Sequence, residues 1–118
     1  MKKVEVNFYS EQNGNEPVRK WLKQLDKETR TIIGEDLKKV QYRWPLGMPL
    51  VGYLTQGLWE LRSTLPNRIA RIIFMMHDNK IVLLHGFIKK KEQTPEGDLS
   101  IALERSKIVR KYEKKEKK

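Results

Sequence analysis

The chain contains no cysteine, only two histidines, and no apolar run near the length of a membrane span. Each absence excludes something. Without cysteine there is no disulfide framework and no thiolate metal site, which suits a reducing compartment. A spanning helix needs about 20 consecutive apolar residues. The N-terminus, Met1-Lys2-Lys3-Val4-Glu5, begins basic, but no apolar core of a secretory signal follows. The expectation is a cytoplasmic protein without membrane association. His77 and His85 show no His-Glu-x-x-His spacing, and no glycine-rich phosphate loop or obvious pair of carboxylates occurs. Neither metal-dependent hydrolysis nor nucleotide-driven chemistry is expected, and no cofactor is called for.

What the chain has in excess is positive charge. Its 118 residues carry 25 Lys and Arg against 15 Asp and Glu, a net +10. Half of that excess lies in residues 107–118, where seven cations face only Glu113 and Glu116. Charged tails are commonly just solvated, so the body charge is the better clue to a polyanionic partner such as RNA, DNA or an acidic protein. The length fits one domain, here 1–112, followed by a basic, disordered tail at 113–118.

Patterning gives the fold class. Val4, Val6 and Phe8 alternate with polar residues and predict a strand over 3–9. Asn13-Gly14 marks a turn, Asn15 can cap a helix, and Pro17 fits its first turn. Val18, Trp21, Leu22 and Leu25 make one apolar helical face. Asp26 can cap a second helix carrying Ile33, Leu37, Val40 and Trp44, which Pro45 ends. So short a link predicts an antiparallel helical hairpin. Residues 45–57 read as a loop. Strands follow at 58–64, 68–77 and 81–88 as an antiparallel meander, and Thr94-Pro95 can open a last helix with Leu99, Ala102, Leu103 and Val109 on its apolar side. The expected architecture is α+β: two N-terminal helices on one face of a four-stranded, mostly antiparallel sheet, with the first strand at an edge, plus a C-terminal helix. The other face is left to solvent or to a ligand.

The candidate chemistry is a set of cations on strands. In Trp59-Glu60-Leu61-Arg62, alternation sends Glu60 and Arg62 to one face and Trp59 and Leu61 to the core. Arg71 interrupts an apolar strand and must find a partner or a polar cleft. Lys89, Lys90 and Lys91 end the last strand, where mutual repulsion favours losing a proton or holding a phosphate. Each has a plainer reading: Arg62 as an ion-pair partner of Glu60, Arg71 as a structural arginine, the lysines as a solvated strand end, His85 as a hydrogen-bonded core histidine.

In order, Gly57-Leu58-Trp59-Glu60-Leu61-Arg62, Arg68-Ile69-Ala70-Arg71-Ile72-Ile73-Phe74, Val82-Leu83-Leu84-His85-Gly86-Phe87-Ile88-Lys89-Lys90 and Gln93-Thr94-Pro95 resemble the phage-related, HigB-like branch of the RelE/ParE toxin superfamily. Phe8-Tyr9, Asn13 to Val18 and Trp44 to Leu50 fit its earlier parts, so the resemblance covers roughly residues 4–105. It implies the toxin of a type II toxin–antitoxin system. Such a toxin is a metal-independent endoribonuclease acting on mRNA at the ribosome, bound into a hetero-oligomer by a helix-turn-helix antitoxin. The 2′-OH of the RNA attacks the adjacent phosphate. By position, the resemblance implies Arg62, Arg71, Lys89, Lys90 and His85 as catalytic, with Arg68 and Lys91 touching RNA and Glu60 lining the site. The chain departs from RelE at Glu60, which stands where an active-site lysine is expected, so a RelE-identical mechanism does not follow. Lys91-Glu92 also departs from the expected Thr-Gln. The alternatives are a ParE-like, non-enzymatic inhibitor of DNA gyrase, or a decayed toxin kept as a binding partner.

Overall fold

The computed structural model describes residues 3–89 and 94–116, with backbone alone for 113–116. In chain order the elements are β1 (Val6–Phe8), α1 (Pro17–Gln24), α2 (Lys27–Arg43), β2 (Val51–Thr55), β3 (Leu58–Thr64), β4 (Ile69–His77), β5 (Lys80–Lys89) and α3 (Glu96–Glu116). The strands form one sheet in the order β1-β5-β4-β3-β2. β1 sits at an edge as expected, parallel to β5, and the other pairings are antiparallel.

The sheet has five strands, not four. The added strand, β2, lies inside the expected loop at 45–57, and it pairs Val51 with Leu61 and Tyr53 with Trp59. The clustered Pro and Gly residues hid a short strand whose own Gly52 lacks the usual strand preference. Gln56 and Gly57 (φ 48° and 80°) close its hairpin, and Asp78 and Asn79 (φ 51° and 60°) close the β4–β5 hairpin. Two successive left-handed residues match the right-handed twist of the flanking strands.

The helix starts follow local chemistry. Pro17 occupies the first position of α1, but Glu16 rather than Asn15 precedes it as cap, with no side-chain bond. Asn15 Nδ2 instead donates to Glu11 Oε1 at 2.7 Å. Asp26 caps α2 as expected, accepting from the Thr29 hydroxyl at 2.6 Å and its N–H at 3.2 Å. α3 begins after Pro95, and its backbone runs through residues 113–116, part of the segment expected as a tail.

Helices cover both faces of the sheet, which corrects the expectation of an open face. On one side Val18, Ile33 and Val40 of α1 and α2 meet Val51, Leu61, Ile72, Phe74 and Leu83. The Trp44 ring stands edge-on to Trp59 and Phe74, with centroids 5.1 and 5.6 Å away. On the other side Ala102 of α3 joins Leu58, Ile73, Met75, Val82, Leu84 and Phe87, with Leu99, Leu103 and Val109 packed against them. The reason is visible in β4, where Ala70 to Met75 are buried without alternation. A strand covered on both faces reads as a continuous apolar run.

A bulge in β5 sets the positions that follow. Ile73 pairs with His85 and Phe74 with Leu83, so Leu84 has no opposite number. An extra residue of this kind bends a strand and re-aims its side chains. Leu84 and His85 both turn toward α3, and Gly86 lies beneath Trp21 of α1.

Candidate functional site

The sheet face under α3 carries the polar cluster. Register brings Arg62 of β3 directly beside Arg71 of β4, and Glu60 lies two residues along β3 from Arg62. Two guanidiniums side by side repel unless an anion lies between them. Glu60 is that anion. Its Oε1 accepts from Arg62 Nε at 2.9 Å and from Arg71 Nη1 at 3.4 Å, and its Oε2 accepts from the Thr94 hydroxyl at 2.6 Å. The Glu60 side chain is 0% exposed and that of Arg71 is 1% exposed, while that of Arg62 is 26% exposed. A carboxylate so deep is tolerable only when paired and hydrogen-bonded.

Arg62 is seated by β2 and the chain before it. Gly52 pairs with Glu60, and a side-chain carbon at Gly52 would lie 3.1 Å from Arg62 Nη2. The missing side chain makes room for the guanidinium, whose Nη1 also touches Met48 Sδ at 3.0 Å. Arg62 is therefore the member of the cluster that reaches solvent, and Arg71 is the member that is sealed in.

His85 lies on the same face, in the cross-strand row that runs from Glu60 through Ile73. Its Nε2 is 2.7 Å from Asp98 Oδ1 in the first turns of α3, and its ring stacks with Phe87 at 5.6 Å. Two residues of α3 and its lead-in, Thr94 and Asp98, thus tie the helix to Glu60 and His85. Arg105 adds a third tie, donating to the Leu84 carbonyl at 2.7 Å and lying over the Tyr9 ring.

The expected site residues divide. Arg62, Arg71 and Glu60 come together, and His85 shares their face. Lys89 ends β5 on that side, opposite Ile69. Lys90 and Lys91 lie outside the described residues. Arg68 is exposed in the β3–β4 connection, and its charge acts on Asp26 at the start of α2, on the far side of the sheet. Thr94 and Asp98 carry no sign of their partnership in the sequence. Thr94 read as a helix cap, yet its hydroxyl is spent on Glu60. Among the described residues, no three His, Asp or Glu side chains gather as metal ligands.

Chemically, the cluster offers one exposed guanidinium held by a buried carboxylate, suited to clamping a phosphate. It also offers an imidazole oriented by a carboxylate, suited to moving a proton. A family described as phage-derived protein Gp49-like (DUF891) matches residues 20–107, which span the whole of this cluster. No curated protein matches the chain.

Proposed function

Because the chain belongs to the phage-derived Gp49-like (DUF891) family, we propose that it is the toxin of a toxin–antitoxin pair and that it cuts RNA. The family is associated with toxin–antitoxin systems and related to RelE-like toxins, which supports the first half of this reading. The observation that carries the second half is the pairing of Arg62 and Arg71 across Glu60 on the face that also presents His85.

In the proposed reaction the 2′-oxygen of one nucleotide attacks the neighbouring phosphorus, and the bond to the 5′-oxygen breaks. The products are a 2′,3′-cyclic phosphate and a 5′-hydroxyl end. Arg62 opposes the charge that builds on the phosphoryl oxygens. His85, oriented by Asp98, takes the 2′-OH proton. Lys89 is the described candidate for returning a proton to the leaving oxygen. Arg71 acts in this scheme by holding Glu60, and through it Arg62. HigB-like membership, messenger RNA on the ribosome as substrate, and an antitoxin with a helix-turn-helix domain belong to the same proposal.

The test is induction of the chain in growing bacteria, followed by primer extension on translated messages. New 5′ ends that vanish in Arg62→Ala support the reading. Growth arrest without new ends overturns it. The burial of Arg71 and Glu60 favours a second reading, in which the chain blocks DNA gyrase without cutting RNA. A supercoiling assay with purified protein separates the two.

A further inference from the structure

All the sulfur of this chain is methionine sulfur. It has no cysteine and four methionines, Met1, Met48, Met75 and Met76. Met75 is 1% exposed in the cluster under α3, and Met76 is partly buried against the cluster under α1 and α2. Met1 lies outside the described residues. Met48, in the segment before β2, is 66% exposed. Its Sδ lies 3.0 Å from Arg62 Nη1. Gly52 bounds both groups, for a Cβ there would lie 3.1 Å from Met48 Sδ and 3.1 Å from Arg62 Nη2. The most exposed of the described sulfurs therefore rests on the guanidinium of the Glu60 cluster that reaches solvent.

The donors of Arg62 are unequally engaged. Nε bonds the Glu60 carboxylate at 2.9 Å, whereas Nη1 faces a thioether, which is a weak acceptor. Such a partner yields to a phosphate oxygen. A sulfoxide yields far less, because oxidation turns the apolar thioether into a polar group with an oxygen acceptor. Hydrogen bonds from a charged donor to such an oxygen are among the stronger ones.

We propose that Met48 is a modification site for hydroperoxides and that its sulfoxide latches Arg62. A sulfur lone pair attacks one peroxide oxygen, the O–O bond breaks and an S–O bond forms. The proton on the transferred oxygen passes to the departing one, which leaves as water when the oxidant is hydrogen peroxide. Sulfur loses two electrons and the peroxide gains them. Rotation about the side-chain bonds of Met48 brings the new oxygen to Nη1, where it takes the place a phosphate oxygen would fill. A sulfoxide reductase supplied with thiol returns the thioether and releases the oxygen as water. The modification does not depend on the function proposed above, but its effect on RNA cleavage rests on that reading.

The test exposes the purified full chain to hydrogen peroxide and follows each methionine by peptide mass spectrometry. Met48 is expected to gain its oxygen at least about tenfold faster than Met75 and Met76. In nitrogen-15-labelled protein, nuclear magnetic resonance should then show the Arg62 guanidinium protons exchanging with water about threefold more slowly or less, as a new hydrogen bond to a charged donor requires. Met48→Leu should show no such change under peroxide. Met48→Gln, whose carbonyl oxygen stands where the sulfoxide has its own, should show the slowing without peroxide. Oxidation of Met75 or Met76 as fast as Met48 overturns the proposal. So does unchanged Arg62 exchange in the Met48 sulfoxide, or the same slowing in peroxide-treated Met48→Leu. RNA cleavage separates the latch from the functional reading. A parent that cleaves RNA should lose about threefold or more of its rate on oxidation, and Met48→Leu should keep under peroxide the rate it has before it. A parent rate that survives full oxidation of Met48 overturns the latch. If the parent never cleaves RNA but its Arg62 exchange slows on oxidation, the modification site stands and the endoribonuclease reading falls.

Discussion

Glu60 and Arg71 are buried together on adjacent strands, with Oε1 3.4 Å from Nη1, and neither side chain reaches water. Each makes the other tolerable. Breaking a buried pair from one side leaves an uncompensated charge, and this typically costs about 3–5 kcal/mol. Glu60→Ala should lower unfolding stability by about that much in urea titration. The double variant Glu60→Leu/Arg71→Met should lose clearly less, because no charge is stranded. Equal losses would mean that a stranded Arg71 charge adds no cost of its own.

Arg62 reaches solvent and bonds Glu60 at 2.9 Å, so its removal should spare the fold and strike the RNA cleavage proposed above. A partly exposed pair contributes about 0–1 kcal/mol to stability. Arg62→Ala is expected to shift the denaturation midpoint slightly and to lower RNA cleavage by about a hundredfold. Arg62→Lys should restore little, because an ammonium cannot make the same forked contact. Cleavage rates on a defined message measure both.

His85 and Asp98 supply a different contrast. Both are partly exposed, so Asp98→Asn should change stability by less than about 1 kcal/mol. If His85 transfers the proton, the same change lowers the cleavage rate by about tenfold or more and alters its pH profile. A rate and profile identical to those of the parent would remove Asp98 from the mechanism.

Gly86 is pressed against α1. A Cβ there would lie 2.5 Å from two ring carbons of Trp21, closer than real contacts allow. Gly86→Ala is expected to destabilise by about 1–3 kcal/mol, as overpacking does. Adding Trp21→Leu should recover part of the loss, and thermal denaturation of the single and double variants checks this.

Asp26 gives the protein a pH-dependent element. The Thr29 hydroxyl, then the Thr29 N–H, and more weakly the charge of Arg68 hold its carboxyl below the ordinary range. A carboxyl depressed on folding stabilises fully above its unfolded value, and that contribution fades as pH falls through the folded value. Asp26→Asn should therefore flatten the acid limb of a stability-versus-pH curve and leave the pH slope near neutrality unchanged. Denaturation midpoints from pH 2 to 7, roughly, read this directly.

How far the sequence alone reaches depends on the range of the interaction. The β3 alternation of Trp59, Glu60, Leu61 and Arg62 gives the correct faces, because period two is a local property. Asp26 as a cap and Pro17 as a first helical residue are local too. β2 escapes because Gly52 and its neighbouring prolines imitate a loop. The cover of α3 over the second face escapes for another reason: apolar residues on both sides of β4 announce burial but not which element supplies it. The ties of Thr94 to Glu60 and of Asp98 to His85 span 34 and 13 residues, and no local pattern encodes them.

The parallel edge strand has a consequence for synthesis. β1 is made well before its neighbour in the sheet: Val6 pairs with Ile81, which arrives 75 residues later. Contacts so distant form late and slow the closing of a sheet. Until then the nascent chain holds an apolar strand without a neighbour, open to aggregation. A chain that stops short of β5 has no place to dock β1 and no His85. Translation interrupted before β5 thus yields fragments that lack both the parallel pairing of β1 and the His85–Asp98 contact.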